Sequence, residues 1–103
     1  FWVLYLNASN KILDRVRISQ GGVTGTVVDY KLIVKRAVER LAQGILLVHN
    51  HPSGNPLPSD ADTLITEKLV RAASLFEITV ADHVIITSGE CYSFRSHGFF
   101  DRL

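Results

Sequence analysis

Apolar residues recur along this chain with two different periods. Phe1-Trp2-Val3-Leu4-Tyr5-Leu6 is a run of aromatic and branched residues that predicts a mostly buried strand. Ile12 to Ser19 roughly alternates, with Ile12, Asp14, Val16 and Ile18 set against Leu13, Arg15, Arg17 and Ser19, as in an edge or half-exposed strand. Asn7-Ala8-Ser9-Asn10-Lys11 between them has turn chemistry, so the two strands read as an antiparallel hairpin.

The period then lengthens. From Tyr30 to Gln43, Leu32, Ile33, Ala37, Val38 and Leu41 fall at helical spacing, with Lys31, Lys35, Arg36, Glu39 and Arg40 on the wet face. Asp29 is the expected N-cap and Gly44 the expected C-terminal stop. Ile45 to His49 is almost free of polar residues and predicts a central strand. A second helix is expected from a Ser59 cap to about Phe76, with Leu64, Ile65, Leu69, Ala72 and Ala73 inward and Glu67, Lys68 and Arg71 outward. Ile78 to Thr87 predicts a further strand, Ser88-Gly89-Glu90 a turn, Cys91 to Arg95 a short last strand, and Gly98-Phe99-Phe100 an apolar cap. Strand, helix, strand implies a sheet covered by helices. Gln20 to Thr26 is a glycine-rich connector. Its spacing fits neither the dinucleotide fingerprint nor the P-loop, so it reads as a turn or bulge.

Composition narrows the class. The 103 residues suffice for one compact domain, spanning 1–103, with a core that needs no staples. A net charge of +1 demands neither nucleic acid nor acidic lipid. The single cysteine, Cys91, cannot form an internal disulfide; it reads as a small buried hydrophobe and points to a reducing, cytoplasmic setting. No apolar run reaches the roughly 18–20 residues that span a membrane, and no signal peptide is present. The chain lacks methionine and opens directly in a strand, which reads as a domain cut from a longer protein.

The chemistry gathers in Val48-His49-Asn50-His51-Pro52-Ser53-Gly54-Asn55-Pro56-Leu57-Pro58-Ser59-Asp60-Ala61-Asp62. Residues two apart in a strand point the same way, so His49 and His51 can aim at one point. Asp62 follows His51 by eleven residues, on the first turn of the second helix. Pro52, Pro56 and Pro58 stiffen the loop between them. Two imidazoles, a carboxylate and an open position describe a catalytic zinc. The plain alternative is two polar strand-end histidines with Asp62 as a helix-start carboxylate and capping-box partner of Ser59.

His49-x-His51, seven residues, Ser59, two residues, Asp62 resembles the JAMM (MPN-plus) metalloprotease motif. Val48 to Gly54, Pro58-Ser59-x-x-Asp62, Asp82-His83-Val84-Ile85-Ile86 and Tyr92-Ser93-Phe94 resemble its RadC-like JAB/MPN branch, and the likeness covers essentially the whole chain. The resemblance implies a three-layer α/β/α sandwich with a mixed sheet, like that of cytidine deaminases. It implies Zn2+ on His49, His51 and Asp62. Ser59 would donate to the developing oxyanion or orient the water, while also capping its helix. The implied activity is hydrolysis of peptide or isopeptide bonds, with a glutamate as general base, in a protein of the DNA-repair-named RadC group with possible repair-protein partners. Asp82 and His83 are candidate partners for the metal-bound imidazoles. His97 reads as a surface residue.

The family's glutamate is expected just before the first strand, and so ahead of Phe1. Glu39, Glu67, Glu77 and Glu90 stand at outward helix positions or turns and are poor replacements. The expectation is therefore a domain that binds zinc but is impaired in catalysis. Two other readings compete. One is a non-catalytic metal-binding or interaction module in DNA repair. The other is a metal nuclease using Asp60, Asp62 and the two histidines, which would first require salt-dependent DNA binding. A deaminase is disfavoured, because the Pro-Cys-x-x-Cys pair is absent.

Overall fold

The computed structural model describes residues 1–18 and 28–103. The expected glycine-rich connector lies outside the described residues. Strand β1 (Trp2–Leu6) pairs antiparallel with β2 (Ile12–Arg17), so the hairpin forms as the pattern predicts. Its turn is held by Asn7, whose Oδ1 accepts from the backbone N–H groups of Ser9 and Lys11, both at 2.9 Å. The remaining elements are α1 (Tyr30–Glu39), β3 (Gly44–Asn50), α2 (Asp60–Ser74), β4 (Thr79–Ile86), β5 (Cys91–Ser93) and a 3-10 turn at Phe99–Arg102. Five strands form one mixed sheet in the order β2-β1-β3-β4-β5, with β3 and β4 parallel and the other pairs antiparallel. The α/β class with a mixed sheet follows the sequence reading.

Register decides which side chains share a face. Val3 stands opposite Leu47, and Tyr5 opposite Ile45. Leu47 in turn stands beside His83, and His49 beside Ile85. Both helices cover this face. The Tyr5 hydroxyl donates to the Ile33 carbonyl of α1 at 3.0 Å, and Thr66 of α2 meets His83. Burial raises the Tyr5 phenol to about 12, against a lowering by Arg36, so it stays a proton donor. The core is Val3, Tyr5, Ile45 and Leu47 from the sheet, packed on Ile33, Ala37, Leu69 and Ala73 from the helices. The opposite face carries Trp2, Leu4, Leu46, Val48 and Val84, and no helix of the described residues covers it.

The first helix departs from the pattern. It caps on Asp29 as expected, whose Oδ1 accepts from Lys31 N, but it stops at Glu39. Ile33, Val34 and Ala37 point inward, while Leu32, Val38 and Leu41 are exposed. Leu41 takes a left-handed conformation, φ 51°, and turns the chain so that Ala42 is buried. The left-handed stop expected at Gly44 thus falls on Leu41. Gly44 opens β3 instead, where an added Cβ would come within 3.4 Å of Leu6. On the wet face, Arg36 and Arg40 both reach Asp14 Oδ2, at 2.8 and 3.1 Å, tying α1 to β2. Two further expectations are corrected. Leu64 is exposed, and the buried stripe of α2 runs Asp62, Thr66, Leu69, Ala73. Cys91 is exposed rather than buried, at the outer end of β5. Among the described residues no helix is long and apolar enough to cross a membrane.

Candidate metal centre

Strand β3 ends at Asn50, and its last backbone bond passes beyond it, from His51 N to Ile86 O at 3.0 Å. That continuation keeps His51 in extended register with His49. The two rings meet edge to face, centroids 4.7 Å apart. The proline loop then turns back through Gly54, whose φ of 84° few side chains would tolerate. It delivers Ser59 as the N-cap of α2. Ser59 Oγ accepts from Asp62 N at 3.1 Å, and Ser59 N donates to Asp62 Oδ2 at 2.8 Å. This reciprocal capping box aims the Asp62 carboxylate back at the strand end.

The result is a triangle. Asp62 Oδ1 lies 3.0 Å from His49 Nδ1, and Asp62 Oδ2 lies 3.0 Å from His51 Nε2. One ligand atom from each of His49, His51 and Asp62 falls within 4.8 Å of the others. The proton inventory is informative. His51 Nδ1 is 2.9 Å from the Asn55 carbonyl, which can only accept, so Nδ1 carries the hydrogen. In a neutral ring this leaves Nε2 bare, facing a carboxylate oxygen. Two acceptors at that distance repel unless a proton or a cation lies between them. His49 Nδ1 is buried and 3.0 Å from Asp62 Oδ1, yet it has no hydrogen-bond partner. An imidazolium at His51 would answer one side of the triangle; a cation among the three answers both.

The donor set fits zinc. Two imidazole nitrogens and one carboxylate are its ordinary nitrogen and oxygen ligands, and three protein ligands leave a fourth position open. The Asp62 carboxylate is ready for that role. Burial acts to raise it, but His49 and the Ser59 N–H and hydroxyl outweigh burial and hold it well below the usual carboxylate range. Ser59 Oγ accepts the cap bond from Asp62 N, and its hydroxyl lies against the Asp62 carboxylate.

His83 and Asp82 part company. His83 is fully buried beneath the triangle, stacked on Phe94 with centroids 4.5 Å apart and 6.0 Å from the His49 ring. Burial, only partly opposed by the Asp62 charge, lowers its pKa from 6.5 to about 4, so it is neutral. Asp82 turns to the other face. It accepts from Ser93 Oγ at 2.5 Å and from Arg95 N at 2.9 Å, anchoring the last strand, and makes no hydrogen bond to either cluster histidine. A bulge explains the split. Ile45 pairs with Val80 but Leu46 pairs with Asp82, leaving Ala81 extra and reversing the alternation. His97 is exposed, as expected, and stacks on Tyr92 at 4.0 Å. Sequence reasoning missed Asn55 and Thr66. Thr66 had a signal, its spacing of four from Asp62 on one helix face; the Asn55 carbonyl had none.

The family model for the RadC-like JAB domain matches residues 1–99. The chain belongs to this family. The RadC-like JAB domain seen here is 46% identical over 100 residues to a UPF0758 protein of Flavobacterium johnsoniae, covering 97% of this chain and 44% of that one. It is 44% identical over 101 residues to UPF0758 protein TTE0897 of Caldanaerobacter subterraneus subsp. tengcongensis, covering 98% and 43%. It is 42% identical over 98 residues to UPF0758 protein YfjY of Escherichia coli, covering 95% and 61%. The domain thus spans less than two thirds of the length of these curated relatives.

Proposed function

We propose that this domain is a zinc-dependent metallohydrolase of the JAMM type, acting on peptide or isopeptide bonds. The observation that carries the reading is the triangle of His49, His51 and Asp62. It sets a buried carboxylate within 3.0 Å of two imidazole nitrogens, one of which has no hydrogen-bond partner. The three residues would hold the ion. A zinc ion supplies Lewis acidity, polarising a carbonyl and making a nucleophile available near neutral pH.

The chain's own groups complete the chemistry. Asn55 holds His51 with its Nε2 lone pair turned inward. Ser59, bonded to Asp62 through both its N–H and its Oγ, carries a hydroxyl beside the cluster that would turn to a developing oxyanion. The four glutamates of the chain do not supply a base. Glu39, Glu77 and Glu90 are exposed, and Glu67 pairs with Arg71 at 2.8 Å. The Phe1 ring lies 4.9 Å from that of His49, so the start of this chain lies beside the cluster. The proposal assigns the general base to a residue ahead of Phe1.

The test has two parts. Elemental analysis of the purified 103-residue protein should find one zinc per chain, reduced in Asp62→Asn. A longer chain carrying a glutamate ahead of Phe1 should cleave an isopeptide substrate, and the matching glutamine variant should not. Protein without zinc, and unable to take it up, overturns the reading.

A further inference from the structure

A buried hydrogen-bond chain runs beneath the metal triangle. Thr66 stands one helical turn after Asp62 on the same face of α2 and is fully buried. Its Oγ1 lies 2.6 Å from the Asp62 carbonyl oxygen and 2.6 Å from His83 Nδ1. A hydroxyl has one proton and a carbonyl none. The proton between Thr66 and Asp62 must therefore be the hydroxyl's, and the proton between Thr66 and His83 must be the imidazole's. His83 is fixed as the Nδ1–H tautomer. It donates to Thr66, which donates to Asp62.

We propose that His83, acting through Thr66, is a positioning residue for the metal ligand Asp62. The inference rests on the metal reading of the triangle. His83 is rigid with respect to the ligand histidines: it pairs with Leu47, two residues before His49 in the adjacent strand, and its ring is clamped by Phe94. Helix α2 also packs on the sheet through Leu69 and Ala73, but apolar contact is non-directional and lets a helix shift by tenths of an ångström at little cost. Among the described residues, the Thr66–His83 bond is the only hydrogen bond between α2 and β4. A hydrogen bond weakens steeply with distance and angle, so this one sets the height of the first turn above the sheet. Metal ligation tolerates errors of only about 0.2 Å, so that height governs affinity.

Zinc dissociation constants measured by chelator competition on the 103-residue chain test the assignment, with circular dichroism of the chelator-treated proteins reporting the fold. Thr66→Val keeps the volume but loses the hydroxyl, and should bind zinc roughly 10–100-fold more weakly, as for other outer partners of metal ligands. Thr66→Ser should stay close to wild type. His83→Asn places an amide N–H where Nδ1–H stood and should also bind tightly. His83→Gln reaches towards the Nε2 position and should bind as weakly as Thr66→Val. A folded Thr66→Val that binds like wild type overturns the inference. If Thr66→Val fails to fold, the His83→Asn and His83→Gln pair decides, and equal affinities overturn it. Wild-type protein that binds no zinc sinks the metal reading first, and the inference with it.

Discussion

His51 Nε2 faces Asp62 Oδ2 at 3.0 Å while its Nδ1 is committed to the Asn55 carbonyl. The pair is held from both sides, by the loop behind His51 and by the Ser59 capping box behind Asp62. A cation among the three residues would relieve the charge between them, and metal should therefore stabilise the fold. At free zinc 100-fold above the dissociation constant the gain is about 2.7 kcal/mol, which for a chain of this size raises the melting temperature by roughly 10–20 °C. Thermal unfolding with zinc and with chelator measures it. Asp62→Asn should abolish the difference.

His83 makes the metal-free protein sensitive to mild acid. Its pKa falls from 6.5 in the unfolded chain to about 4 in the fold, chiefly through burial. Between those values the unfolded state binds more protons, so stability rises with pH across that window and is lost as pH falls from 6.5 towards 4. The full shift corresponds to about 3 kcal/mol. Denaturant midpoints of wild type and His83→Asn, in chelator, should converge as pH falls through this range; a difference that does not change with pH refutes the assignment.

Substitution can separate the capping role of Ser59 from its proposed role at an oxyanion. Ser59→Ala removes the cap and should cost about 1 kcal/mol, whereas Ser59→Gly costs only a few tenths, since glycine is a fair N-cap. Both lose the hydroxyl. If Ser59 stabilises an oxyanion, turnover in a longer, active chain should fall about equally in both, by roughly 10²–10³-fold. Turnover that instead follows stability would reduce Ser59 to a cap.

Leu41 offers a change of opposite sign. It is 83% exposed at φ 51°, a conformation that costs a branched side chain roughly 1–2 kcal/mol. Leu41→Gly relieves that strain but adds unfolded-state entropy, so a net gain of about 0.5–1 kcal/mol in urea unfolding is expected.

Much of this protein is written in local pattern. Alternating and helical periods mark the elements, because a strand and a helix each repeat their buried face on a fixed count. Ser59 and Asp62 are three apart, the spacing of a capping box, and His49 and His51 share a strand direction, so the triangle is legible from chain order alone. Tertiary packing decided the rest. The helical pattern of α1 admits several apolar faces, and only the sheet beneath it selected Ile33, Val34 and Ala37 over Leu32 and Val38. Unbroken alternation in β4 would carry the inner face from Val80 to Asp82 and turn His83 outward. The bulge at Ala81 exchanges them, bringing His83 to Thr66 beneath the triangle of His49, His51 and Asp62 and leaving Asp82 to hold Ser93 and Arg95 on the other face. A bulge is set by pairing with a strand more than thirty residues away, and one inserted residue inverts every side chain beyond it.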